Sequence, residues 1–179
     1  MKIGTKILIL FLTLNLLSCK SSAQDIETKK PVPEFDFSGM NKSKFPKPVG
    51  YVNDFEQIFT PDQKILLEKL ISNYEKRTTK EIAIITVSTI EPYDNIKDYG
   101  TDISNEWGIG KKGKDNGLAI IFSKSLREVR VSTGNGTEKI LTDEICKSII
   151  DQIMVPEFKN GEYYNGIEKG LLELIAKWK

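Results

Sequence analysis

An α/β fold is predicted, a three-layer α/β/α sandwich around a small mixed sheet. Two short, almost wholly apolar runs, 82–87 (I-A-I-I-T-V) and 118–122 (L-A-I-I-F), have the pattern of strands covered on both faces. An amphipathic helical stretch lies between them, so strand, helix and strand form a right-handed crossover with parallel strands. Further apolar stripes at helical spacing flank this unit on both sides, enough to cover both faces of the sheet.

The chain begins with a different kind of segment. Residues 1–18 carry Lys2 and Lys6 and then an apolar run broken only by Thr13 and Asn15. The run is too short to cross a bilayer and reads as a secretory signal. Leu16-Leu17-Ser18-Cys19 resembles the bacterial lipoprotein cleavage site. That resemblance implies that Cys19 becomes the acylated first residue, and several acyl chains on one residue give stable anchoring to a membrane. Residues 19–50 read as a flexible linker with Pro31, Pro33, Pro46 and Pro48, which holds residues 51–179, the folded domain, clear of the membrane. Phe35, Phe37 and Phe45 are free to dock on the domain, with no element expected there.

In the domain, Tyr51-Val52-Asn53-Asp54 opens the ordered region. Thr60 as N-cap, Pro61 in the first turn and Gln63 for a capping box start a helix with Leu66, Leu67, Leu70, Ile71 and Tyr74 on its stripe. After the first strand a helix follows Pro92, with Ile96, Tyr99, Ile103 and Trp107 on one face. After the second, 128–133 alternates, with Val129 and Val131 on one face, as an antiparallel hairpin partner nearer the sheet edge. Residues 134–138 form a tight loop. Thr142 caps a helix bearing Ile145, Ile149, Ile150 and Ile153, which Pro156 ends. Gly161 and Gly166 flank the start of a last helix carrying Ile167, Leu171, Leu174, Ile175 and Trp178.

Composition narrows the chemistry. The 179 residues are 39% apolar and 28% charged, with a formal charge of +1, so no basic excess exists to release counterions from a nucleic acid. Removing 1–18 leaves 24 basic against 25 acidic side chains. The sequence has no histidine, and so lacks the usual general base at neutral pH and the commonest zinc ligand. With Cys19 acylated only Cys146 remains, on the apolar face of a helix, as a small buried hydrophobe.

The stretch 107–117, W-G-I-G-K-K-G-K-D-N-G, concentrates glycine and charge just before the second strand. It offers Asp115 and Asn116 as oxygen ligands, beside Lys111, Lys112 and Lys114. The loop 134–138 follows the strand antiparallel to that one, so both loops lie at one end of the sheet. That end gathers Asp115, Asn116, Asn135 and Glu138, hard oxygen donors that suit Ca²⁺ or Mg²⁺. Asp54 precedes a helix that starts at the opposite end. The segment 54–59 spans about 20 Å when extended, so Asp54 either crosses to the site or stays behind.

Val52-Asn53-Asp54, T-P-D-Q at a helix start, W-G-I-G-K-K-G-K-D-N-G, G-N-G-T-E and P-E-F-K-N-G-E-Y at 156–163 together resemble the TPM domain over about residues 52–175. The resemblance implies an α/β/α sandwich in an extracytoplasmic protein. The family includes thylakoid-lumen proteins tied to photosystem repair and bacterial envelope proteins, and both divalent metal binding and acid phosphatase activity are attributed to it. It implicates Asp54, Asp115, Asn116 and Glu138 as metal ligands, with Asp143 as a further candidate. One loop departs from the family pattern G-Y-G-L-E, because Asn135 and Thr137 stand where an aromatic and an aliphatic residue are usual.

Two functions from different classes follow as expectations. The first is a membrane-anchored module of the bacterial cell envelope that binds a divalent metal and helps assemble or maintain a complex with an envelope protein partner. The alternative is a metal-dependent phosphatase, with Asp115 on the metal and Lys112 or Lys114 binding the phosphate as a point charge. A third and weaker option is a peptide- or glycan-binding module that uses the exposed sheet edge.

Overall fold

The computed structural model describes residues Ser43–Lys179. The expected secretory signal, Cys19 and the expected linker through residue 42 lie outside the described residues.

Four strands form one sheet in the order β1-β2-β3-β4: β1 (Val52–Asp54), β2 (Glu81–Thr86), β3 (Gly117–Ser123) and β4 (Glu128–Thr133). The first three are parallel and β4 returns antiparallel to β3. The expected mixed sheet is therefore present, with β1 added as a short parallel edge strand where only the opening of the ordered region was expected. Three residues are too few to show a period of two in sequence.

Alternation along the strands divides the core. Val52, Ile82, Ile84, Leu118, Ile120, Phe122 and Val131 belong to one cluster. It is covered by α1 (Pro61–Thr78), α4 (Asp143–Ile149) and α6 (Tyr163–Lys177) through Leu67, Ile71, Ile149, Ile167 and Leu171. Ala83, Ile85, Ala119 and Ile121 face the other way, onto Tyr99 and Ile103 of α2 (Ile96–Trp107). This second layer is thin, and Phe45 completes it. The Phe45 ring is 7% exposed and stands edge-on to Tyr99 with centroids 5.3 Å apart, while Trp107 Nε1 donates to the Pro46 carbonyl at 3.1 Å. Phe45, from the segment before Tyr51, thus docks on the domain and adds a ring beside Tyr99 of α2.

Two local expectations are corrected. Residues 134–138 are more than the tight loop expected: α3 (Asn135–Glu138) is a single helical turn after Gly134. Pro156 does not end the fourth helix. The chain passes from α4 through a π-helical turn (Ile150–Met154) into α5 (Val155–Lys159), with Pro156 in the first turn of α5. Proline breaks a helix because it lacks an N–H and its ring meets the carbonyl one turn back. A π turn widens that place and puts proline where a donor is dispensable. On α1, Leu66 is 54% exposed although it belongs to the expected stripe, and Leu67, Ile71 and Tyr74 are buried.

Candidate functional site

The connection from α2 to β3 is built as a clamp. Gly108 ends α2 in a left-handed conformation (φ 66°). The Gly110 amide donates to Glu81 Oε2 at 2.6 Å and the Lys111 amide to Asn116 Oδ1 at 2.9 Å. Asn116 Nδ2 donates to the Thr79 carbonyl at 2.9 Å, and the Asn116 carbonyl accepts from the Glu81 amide at 3.0 Å. Asn116 is therefore spent on holding the loop to the α1–β2 junction, and as a metal ligand it is replaced by this structural role. Lys111 bridges Glu75 and Glu81. Those two carboxylates, Glu81 first, hold its ammonium above the ordinary lysine range.

The two glycine connections meet, as the topology requires. Gly136 N and Thr137 N donate to the Asp115 carbonyl at 3.0 and 3.3 Å, and the buried Thr137 hydroxyl donates to the Gly117 carbonyl at 2.9 Å. The approach is so close that a Cβ at Gly136 would lie 2.0 Å from the Lys114 carbonyl oxygen. Glycine is needed there because the neighbouring atom is backbone and has nowhere to move. Asp115 takes a left-handed conformation (φ 49°), which aspartate tolerates better than most residues. Asp115 and Glu138 are both exposed at this end of the sheet, and among the described residues neither side chain has a hydrogen-bond or ion-pair partner. Lys112 is exposed beside them, and Lys114 Nζ turns toward the α1 side, 3.2 Å from Thr79 Oγ1.

Asp54 is not brought to this place. It pairs in register with Thr86, which pairs with Phe122, whereas the loops meet at the level of Gly117. The offset is about 16 Å along the strands. Its carboxylate is also occupied, accepting from the Ile58 amide at 3.1 Å, the Phe59 amide at 2.9 Å and the Thr86 hydroxyl at 2.6 Å. It fastens the turn that leads into α1. Asp143 opens α4 and pairs with Arg130, Oδ1 to Nη2 at 2.9 Å.

A cleft of about 240 Å³ runs from this end along the groove between α2 and β4. Glu138 and Gly134 line one part; Arg130, Ser132 and Lys97 line the rest. Arg130 and Ser132 point to the α2 face of the sheet, because Val129 and Val131 point to the other. Ser132 is 8% exposed, and both its Oγ and Arg130 Nε are buried without a hydrogen-bond partner. Such groups are costly to leave unpaired in a folded protein and mark places where a ligand or water completes the set. The sequence puts Val129 and Val131 on one face of 128–133 and thus these two on the other, but it carries no signal for the position of α2 over them.

The donor set can be judged against a divalent cation. Among the described residues no group of three or more His, Cys, Asp or Glu side chains converges as a metal cage. What remains is two unpaired carboxylates with hard oxygen only. That set fits Mg²⁺, which is held by one or two carboxylates and keeps several waters, or a low-affinity Ca²⁺. It does not fit zinc or copper.

The TPM domain family model matches residues 52–177, from β1 to the end of α6. This chain belongs to the TPM domain family. Solved structures share its fold. The N-terminal domain of a protein from P. gingivalis is 26% identical, with a TM-score of 0.65, covering 70% of this chain and 80% of that one. The BA42 protein of the psychrophile Bizionia argentinensis is 20% identical, with a TM-score of 0.56, covering 70% and 88%. The N-terminal domain of the cg2496 protein of Corynebacterium glutamicum is 12% identical, with a TM-score of 0.57, covering 76% and 86%. Among curated proteins none matches the chain. Among the described residues of this TPM domain no helix is long and apolar enough to cross a membrane.

Proposed function

We propose that this TPM domain is a lipid-anchored binding module of the bacterial cell envelope, held by Cys19 on the extracytoplasmic side. It takes a hard divalent cation, Ca²⁺ or Mg²⁺, through Asp115 and Glu138, and acts on a protein partner rather than as a catalyst. The observation that supports this best is the interlock of the two glycine connections, which leaves two unpaired carboxylates at one sheet end in a chain with no histidine to favour a softer metal. A catalytic role lacks the usual groups. The chain has no histidine, and burial pushes the Cys146 thiol up to about 11. The anchor and tether rest on the lipoprotein-like Leu16-Leu17-Ser18-Cys19 and the proline-bearing stretch 19–50.

A second reading is favoured by one feature, the unpaired Arg130 Nε and Ser132 Oγ in the cleft that ends at Glu138. In a metal-dependent phosphomonoesterase a cation at that end would supply Lewis acidity. Arg130, Lys97 and Ser132 would orient the ester oxygens, a better-placed set than Lys112 and Lys114.

Thermal unfolding of the full chain with Ca²⁺ or Mg²⁺, paired with phosphate release from p-nitrophenyl phosphate, tests the proposal. The module reading expects a cation-dependent rise in Tm, by mass action, that is lost in Asp115→Ala and Glu138→Ala, with no release above background. Cation-dependent release abolished by the same variants would transfer the conclusion to the hydrolase. A Tm indifferent to either cation would contradict both.

A further inference from the structure

The block 156–163 and the turn after β3 take no part in the site above, yet together they enclose a cavity of about 660 Å³. It opens beyond the carboxyl end of β3, the end of a parallel sheet where α/β folds place their ligands. Its floor is aromatic. Phe122 lies 4.7 Å from Phe158 and 5.6 Å from Tyr163, centroid to centroid, and Phe158 and Tyr163 are 6.0 Å apart. Phe158 and Tyr163 line it and are only half-buried, so part of each ring remains accessible.

The rim is cationic. Lys124, Arg127 and Lys159 all line it and all are exposed. Among the described residues none of the three forms an ion pair. Glu128 is the one acidic side chain on the lining, so the rim carries an excess of two positive charges. The turn that presents the first two cations is held in place. Glu56 accepts from the Lys124 and Ser125 amides at 2.8 and 3.0 Å, and Arg127 sits in the left-handed region at φ 58°. Lys124 Nζ stands 5.1 Å over the Tyr163 ring, which shows that an ammonium and this ring already share the space. An apolar, aromatic-floored pocket with a few convergent charges is the usual form of a small-molecule site.

We propose that this cavity binds a small organic anion with an aromatic body. Its ring packs on Phe158 and Tyr163, and its sulfonate, carboxylate or phosphate faces Lys124, Arg127 and Lys159. The proposal is independent of the cation reading, since the two places lie at opposite ends of the sheet.

Titration of the full chain with 2-naphthalenesulfonate, followed by amide shifts in NMR, is the test, with neutral 2-naphthylmethanol and inorganic sulfate as comparators. Saturable shifts are expected at residues 122–129 and 155–163. The Kd should rise about tenfold in a Lys124→Ala/Arg127→Ala variant, whose substituted side chains are exposed and outside the core. Lys159→Ala should weaken binding in the same direction, and Asp115→Ala should bind as wild type. Equal affinity for the neutral alcohol, or an unchanged Kd in the charge variants, overturns the anionic half of the proposal. Sulfate binding as tightly as the naphthalene compound overturns the aromatic half, and shifts centred elsewhere overturn the site.

Discussion

Asp54 and Asn116 are placed to bind a cation by sequence, yet each is used to hold backbone. Both are oxygen-bearing side chains in family motifs, and both spend their oxygens on backbone amides. Asp54 holds the amides of Ile58 and Phe59 and the Thr86 hydroxyl, and Asn116 holds the Lys111 amide. A carboxylate already accepting three hydrogen bonds offers little to a cation. Asp54→Ala is therefore expected to destabilise the domain by about 2 kcal/mol, since two amides lose their partner, while leaving cation affinity intact. Urea unfolding and a Ca²⁺ titration of the same variant check both parts, and a loss of affinity at unchanged stability would reverse the assignment. Sequence alone could not separate these roles. Asp115 and Asn116 are neighbours with the same motif weight, and only the three-dimensional path of the loop leaves the first open and ties the second.

At the scale of elements, the most legible features are those with a local cause. The Thr60 capping box is present, with Gln63 N donating to Thr60 Oγ1 and the Thr60 amide to Gln63 Oε1. The crossover from β2 through α2 to β3 follows from two apolar runs and one stripe. Features that depend on a partner element were not legible: β1 exists through its pairing with β2, and the chain passes Pro156 by a π turn whose Met154 is fully buried. Glu75 shows elements joined by one side chain. It accepts from the Tyr51 hydroxyl at 2.6 Å and from Lys111 Nζ at 3.1 Å, linking the residue before β1, α1 and the glycine loop. The Tyr51 hydrogen bond first, and Lys111 after it, hold its carboxyl below the ordinary glutamate range. With the folded value below the unfolded one, this stabilisation is complete above the unfolded value and is lost as pH falls through the folded one. Wild type should therefore lose more urea resistance than Glu75→Gln between about pH 5 and 3, and parallel curves would remove Glu75 as the link.

At the largest scale, the domain Ser43–Lys179 is an unequal sandwich. One face carries α1, α4 and α6, and the other carries α2 and one ring from the segment before β1. The thin side is also where Gly100 lets α2 lie against β4, since a Cβ there would come 2.8 Å from Ser132 Oγ. The layer order was legible because it follows from periodicity. The cleft beside Ser132 was not, because it is space left between elements rather than a property of either. The sheet separates two chemistries, with unpaired carboxylates where the glycine connections meet and an aromatic, cation-rimmed cavity beyond β3. The most direct test of this division is paramagnetic broadening of amide signals by substoichiometric Mn²⁺, a hard cation with similar ligand preference. The account predicts that residues 111–117 and 134–139 broaden first and that 54–59 stay sharp, with the effect removed by Asp115→Ala. Broadening centred on 54–59, or spread evenly over exposed acids, would contradict it.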